Sequence, residues 1–284
     1  MKSAFSLQPS ASSLQPSASS LFLIAGNGTY PFLIARGARA AGVKKIVVAA
    51  FEGETDPLLA DEADEMIWMR VGQVGKLLSA ARKSEASHGI MAGQIAPKNL
   101  FDLRPDLKAL VLLATLKERN AESLFSTLAC ELEKAGVALL PATTFLEESL
   151  VTSGWIAGPK LRKRALENIE FGHRIAKEVS RLDIGQTVIV KNGTVLAVEG
   201  FEGTDETIKR GGMLGRCDAC MVKVSKPNQD MRFDVPVIGT KTLETAAAAG
   251  ISIIALETGC TLLLEKEKLL ALAEQLGVTL WGVG

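Results

Sequence analysis

The sequence predicts an α/β protein: a Rossmann-like N-terminal domain followed by a mixed α/β C-terminal domain. Three observations predict it. Short apolar runs alternate with amphipathic helical stretches along the chain. A glycine-rich turn, Gly26-Asn-Gly-Thr-Tyr-Pro31, links the first such run to the first helix. In the second half, Asn192-Gly193 separates two β-rich runs and marks a hairpin, which a purely parallel sheet would lack. Composition agrees. Apolar residues make up 47% of the chain but aromatics only 5%, so Ala, Leu, Val and Gly must fill the core, a mix suited to helices on buried sheets.

In chain order, residues 6–19 hold a direct duplication of Ser-Leu-Gln-Pro-Ser-Ala-Ser. Such a stretch cannot bury a core, and residues 1–20 are expected to be flexible. Leu21–Ala25 is the first strand. Pro31 suits the first turn of a helix that Gly42 ends, and Lys45–Ala50 is the next strand. The turn reads GxGxxP rather than GxGxxG, and the acidic residue after the second strand, Glu52, stands behind Phe51. This degraded fingerprint argues against an NAD-dependent oxidoreductase. What survives is generic: amides near Gly28 and Thr29, at a helix N-terminus, can hold an anion. Gly72–Ala81 reads as a helix and His88–Ala92 as a strand. Gly93 and Gln94 stand at that strand's carboxyl end, where open α/β sheets bind ligands. A helix at Ala121–Ala135 presents Leu124, Leu128 and Leu132 on one face, and Val137–Pro141 is a further strand. Gly and Pro cluster at Gly154–Pro159, dividing the chain into 21–154 and 155–284.

The second domain opens with a long helix, Leu161–Leu182, striped by Leu161, Ala165, Ile169, Gly172, Ala176 and Val179. The hairpin Thr187–Lys191 and Thr194–Glu199 follows. Glu199, Glu202 and Asp205 then stand three apart. Thr204 is placed to cap a helix whose first turn favours Asp205. Helices at Thr240–Ala249 and Lys266–Leu276, and strands at Ile251–Leu256, Leu262–Leu264 and Val278–Val283, complete the domain.

The 32 basic residues balance the 32 acidic ones, which argues against a nucleic-acid binder. Four cysteines, Cys130, Cys217, Cys220 and Cys260, give no disulfide framework for this length. The pair Cys217-Asp-Ala-Cys220 lacks a second pair of ligands, since neither His88 nor His173 is suitably spaced for zinc. The cysteines are read as small apolar residues in a reduced cytosol. No apolar run reaches the roughly 18 residues a bilayer requires, and the Ser, Gln and Pro that follow Lys2 do not resemble a signal peptide. A cytoplasmic location is expected.

The densest chemistry lies in Lys223–Gly239. Pro227 and Pro236 deny this stretch a helix, leaving an irregular connection whose side chains can converge. Lys223, Lys226 and Arg232 suit phosphate oxygens. Asp230 and Asp234 suit a hard divalent cation or a general-base role.

Four motifs in order, Leu23–Pro31, Arg181–Gln186, Ala197–Asp205 and Lys226–Gly239, resemble the LpxI family of UDP-2,3-diacylglucosamine pyrophosphatases. The likeness runs from about Leu21 to the C-terminus. It implies Mg2+-dependent hydrolysis of the pyrophosphate of UDP-2,3-diacylglucosamine, giving UMP and 2,3-diacylglucosamine 1-phosphate for lipid A biosynthesis, with the lipid in a cleft between the two domains. The family's Arg-x-Asp-x-Pro-x-Ile-Gly motif matches Arg232–Gly239, so the resemblance places the catalytic role on Asp234. Metal ligation is expected of Asp234 and Asp205, leaving open whether Asp234 holds metal or positions water. Expected substrate contacts are Gly28, Thr29, Gly93, Gln94, Gln186, Thr187, Glu202, Thr204, Lys223, Lys226 and Gln229. Where the family's first turn is usually Gly-Gly-Gly, this chain has Asn27 in the middle. The resemblance leaves room for peripheral contact with the inner membrane and for a homodimer. The alternative is a non-catalytic nucleotide-sensing regulator.

Overall fold

The computed structural model describes residues 19–95, 105–116, 121–227 and 229–284. All but the last residue of the Ser/Pro/Gln repeat, whose flexibility was expected, and Asn228 of the long loop lie outside them. The first half runs β1 (Ser20–Ala25), α1 (Tyr30–Ala40), β2 (Lys45–Phe51), β3 (Glu65–Met69), α2 (Val74–Ser84), β4 (His88–Ala92), α3 (Leu107–Thr115), α4 (Ala121–Lys134) and β5 (Ala138–Leu139). Its five strands are all parallel, in the order β3-β2-β1-β4-β5, the doubly wound arrangement expected from the sequence. β1 is buried along its whole length because both faces are covered: Leu21, Leu23 and Ala25 feed one core, Phe22 and Ile24 the other. The order of strands reverses between β1 and β4. That reversal brings Gly26–Thr29 beside Gly93–Gln94.

The second half runs β6 (Gly154–Ala157), α5 (Lys163–Arg181), β7 (Thr187–Lys191), β8 (Thr194–Val198), α6 (Thr204–Gly215), β9 (Ala219–Lys223), β10 (Val237–Ile238), α7 (Thr240–Ala248), β11 (Ile251–Glu257), β12 (Leu262–Leu263), α8 (Lys266–Leu276) and β13 (Thr279–Val283). Six of its strands form a mixed sheet in the order β6-β13-β11-β9-β7-β8. β9, β11 and β13 are parallel, while β6, β7 and β8 run antiparallel to their neighbours. α5 lays Ile169 and Ala176 on Val188, Val190, Cys220 and Val222. The other face buries Ile189, Ala197 and Met221 against Ile208 of α6 and Leu243 of α7. Residues of β9 therefore alternate, and Lys223 follows Met221 onto the α6 face.

The long loop joins the halves. Phe233 stacks on Phe125 of α4 at 5.4 Å between ring centroids. Val235 and Val237 pack against the core beneath α1. The amide of Ala142 donates to the Met231 carbonyl at 2.7 Å. Leu262 of β12 is itself part of the first half's core, and Leu150 forms a β-bridge to it.

Candidate active site

Lys223 ends β9 and is 7% exposed, an unusual position for an ammonium group. Its Nζ donates to Thr204 Oγ1 at 2.9 Å, and that hydroxyl donates in turn to Glu199 Oε1 at 2.7 Å. Burial pulls the Lys223 ammonium below the usual lysine range, while the charges of Glu199, Asp234 and Asp205 push it back up. Three carboxylates thus act electrostatically on one buried cation. An ammonium carries three donors, so the bond to Thr204 leaves two for a ligand.

Two buried polar atoms without a protein partner lie by Lys223. Thr187, its register partner on β7, is fully buried with Oγ1 unpaired. Glu199 is 8% exposed and leaves Oε2 unpaired. Gln186 Oε1, one residue before Thr187, and Gln229 Nε2, in the long loop, are also unpaired. Each such atom costs about 1–3 kcal/mol unless something completes its hydrogen bonding. The pair beside a buried cation is an arrangement a polar ligand resolves.

Asp234 is half-buried and lies close enough to Lys223 for its charge to act on the ammonium. Its own amide donates to the Asp230 carbonyl at 3.0 Å, closing a turn. Asp230 is occupied elsewhere: its carboxylate takes the guanidinium of Arg232, with Nη2 at 2.6 Å from Oδ2, and that pairing holds the carboxyl below the usual range. Two candidates are thus set aside, since Arg232 and Asp230 neutralise each other. Lys226 Nζ donates to Asp183 Oδ1 at 2.5 Å, and the Lys226 amide donates to Gln229 Oε1 at 2.7 Å. The Val224 amide donates to the Gln186 carbonyl at 2.9 Å, which ties Gln186 to the end of β9.

One expectation is corrected. Thr204 does not cap α6 with its side chain; the N-cap position is Gly203, and the hydroxyl of Thr204 serves Glu199 and Lys223 instead. Glu202 is exposed and pairs with Arg210 at 2.5 Å, its other oxygen accepting from the Gly200 amide. Asp205 pairs with Lys241 at 3.1 Å.

The rim of the first sheet is built differently. The Asn27 amide donates to the Gln94 carbonyl at 2.8 Å, and the Gln94 amide donates back at 3.3 Å. Gly26 and Gly93 make this contact sterically feasible: a Cβ on Gly26 would lie 2.5 Å from the Gln94 oxygen, and one on Gly93, at φ +91°, 2.6 Å from the Asn27 oxygen. Asn27 Nδ2 turns inward to the buried Glu54 at 2.7 Å. Gly28, Thr29, Gly93 and Gln94 are therefore brought together, but the backbone of Gln94 is already engaged. Two surface cavities, of about 740 Å³ beside Met213 and Arg216 and about 400 Å³ beside His173 and Trp281, are lined by none of these residues.

Residues 20–149 match the LpxI N-terminal domain and residues 152–281 the LpxI C-terminal domain. The chain belongs to the LpxI family. It is 31% identical over 274 residues to the UDP-2,3-diacylglucosamine pyrophosphatase LpxI of Caulobacter vibrioides, covering 93% of this chain and 97% of that protein. A solved biotin carboxylase domain of Hydrogenobacter thermophilus 2-oxoglutarate carboxylase matches 62% of this chain and 35% of that one, at 16% identity and a TM-score of 0.26, too low to inform the fold. Within the matched C-terminal domain lies the motif Arg232–Gly239, whose Asp234 acts electrostatically on Lys223.

Among the described residues no group of three or more His, Cys, Asp or Glu side chains could hold a metal. A cage made of protein alone is thus lacking there. Asp234 and Asp205 both act electrostatically on Lys223, and Asp205 is paired with Lys241. Sequence reasoning passed over Glu54 and Glu257. Glu54 hides behind a glycine in a turn. Glu257 stands at the carboxyl end of β11, and that position is the signal that could have found it.

Proposed function

We propose that this protein hydrolyses the pyrophosphate bond of UDP-2,3-diacylglucosamine, releasing UMP and 2,3-diacylglucosamine 1-phosphate in lipid A biosynthesis. The observation that carries this reading is the buried Lys223, with unpaired atoms of Thr187 and Glu199 beside it and the charge of Asp234 acting on it. It is a site for an anionic, hydrogen-bonding ligand with a carboxylate at hand. The relative from Caulobacter vibrioides, with nearly full coverage, supplies the substrate.

Water attacks phosphorus, its oxygen forms the new P–O bond, and the bridging oxygen departs with the other phosphate. Negative charge spreads over the phosphoryl oxygens in the transition state. Lys223, already aimed by Thr204, donates to those oxygens in a site shielded from water, where a charge acts more strongly than in bulk solvent. Lys226 grips the second phosphate once drawn from Asp183. Asp234 orients the attacking water and takes its proton. Gln186, Thr187 and Gln229 hold sugar or phosphate groups, satisfying their buried atoms. Mg2+, held by Asp234 and Asp205, would neutralise phosphate charge. The lipid lies between the two halves, and its tails call for peripheral contact with the inner membrane from the cytoplasm. No helix among the described residues is long and apolar enough to cross a membrane.

The test is incubation of purified protein with UDP-2,3-diacylglucosamine and Mg2+, with and without chelator, following UMP. Chelator-sensitive UMP release is the expected result. A nucleotide-sensing regulator would bind the compound and release none.

A further inference from the structure

The loop that carries Lys226, Gln229 and Asp234 leaves the sheet at Val224, and its first residue outside the sheet is held by an anchor that the reaction described above does not use. Glu257, at the end of β11, receives three donors. The Ser225 amide and the Ser225 hydroxyl both reach Oε2 at 2.6 Å, and Lys177 Nζ of α5 reaches Oε1 at 2.8 Å. Lys177 closes the ring by donating to the Ser225 carbonyl at 3.1 Å. Both polar backbone atoms of Ser225 and its side chain are thus fixed to the second sheet and its helix. The carboxylate is 16% exposed and the lysine 34% exposed, so this is a partly shielded ion pair rather than a solvated one.

We propose that the Glu257–Lys177 pair is a positioning device for the proposed hydrolysis: it fixes Ser225, and through Ser225 the placement of Lys226 and Gln229. Glu257 touches none of the reacting groups. Its effect passes along the chain, because Lys226 follows Ser225 directly and the Lys226 amide is pinned to Gln229. Misplacing a reacting group by about 1 Å can lower turnover about a hundredfold. The charge matters as much as the shape. Glutamine at this position would turn one donor toward Lys177 or Ser225, leaving a donor facing a donor.

The inference rests on the hydrolase reading, so its test has one arm that does not. Glu257→Gln, Ser225→Ala, Lys177→Met and Lys177→Arg are compared with the wild type for UMP release, thermal midpoint and amide hydrogen exchange across residues 225–234. Glu257→Gln and Lys177→Met should lower kcat about thirtyfold with KM changed less than threefold, and should speed exchange across the loop. Ser225→Ala, which keeps the amide bond, should lower kcat only about threefold. Lys177→Arg should recover most of the Lys177→Met loss. Wild-type kcat per folded molecule in Glu257→Gln, with only the thermal midpoint lowered, overturns the proposal. If the wild type releases no UMP, the hydrolase reading fails and exchange decides alone: faster exchange in Glu257→Gln supports the clamp, and unchanged exchange overturns it.

Discussion

Each half of the molecule offers a strand-end rim where a ligand could sit, and the two rims are built on opposite principles. At the first, Asn27 and Gln94 spend their backbone groups on each other, glycines remove every side chain that would hold them apart, and Asn27 turns its amide to Glu54. At the second, Thr187 and Glu199 bury polar atoms that no protein group satisfies, beside a lysine that has lost most of its water. A rim that satisfies itself gives shape. A rim left incomplete has something to gain from a ligand. The proposed chemistry falls on the second half for that reason, although the glycine-rich turn is the louder signal in the sequence.

The comparison breaks most directly at Asp234. Asp234→Ala should reduce UMP release about 10³-fold or more while circular dichroism and substrate binding stay close to wild type; near-normal turnover would move the chemistry elsewhere. Lys223→Met should come next, losing about 10²-fold in kcat/KM. The same variant leaves the buried Glu199 without its cation and should lower the thermal midpoint, so the loss is read as kcat/KM per folded molecule. Changes at the first rim should read the other way. Gly93→Ala and Gly26→Ala each force a Cβ into backbone, costing about 2 kcal/mol of stability, with kcat per folded molecule nearly kept. A loss of kcat at full stability would show the first rim binding substrate after all.

The smallest expected effect is a pH dependence at Glu257. Burial pushes its carboxyl up, but Lys177 and Ser225 outweigh this and hold it below the usual glutamate range. A carboxylate held low in the folded state stabilises above its ordinary value, and that contribution drains away as pH falls through the lowered one. Acid unfolding of Glu257→Gln should therefore be less steep across that window than in wild type. Equal slopes would mean that the ion pair carries no net folding energy.

Much of this could be read from the chain alone. The first sheet was legible because buried parallel strands must be apolar throughout, as Phe22–Ala25 and Ile46–Ala50 are. The hairpin was legible because Asn192-Gly193 suits a tight turn. Strand β3 was not, since Glu65-Met-Ile-Trp-Met is short and lies at an edge. β6 was hidden for a similar reason: it pairs antiparallel to the last strand of the chain, a partner more than a hundred residues away. At the site, the sequence proposed Asp234, Lys223 and Gln186, and the structure adds that Lys223 is buried and that Gln186 Oε1 is unpaired. It could not tell that Thr204 prefers Glu199 to its own helix, or that Asp230 is neutralised by Arg232. Those choices depend on which groups the fold brings close, and local spacing is silent on that.

The seating of Phe233 and Val235 has a mechanical outcome. Both neighbours of Asp234 are wedged into the first half, whereas Lys223 is woven into the sheet of the second. The acid is thus held from the first half and the ammonium from the second. The packing of Phe233 on Phe125 therefore bears on the spacing of the two charges, although it touches neither.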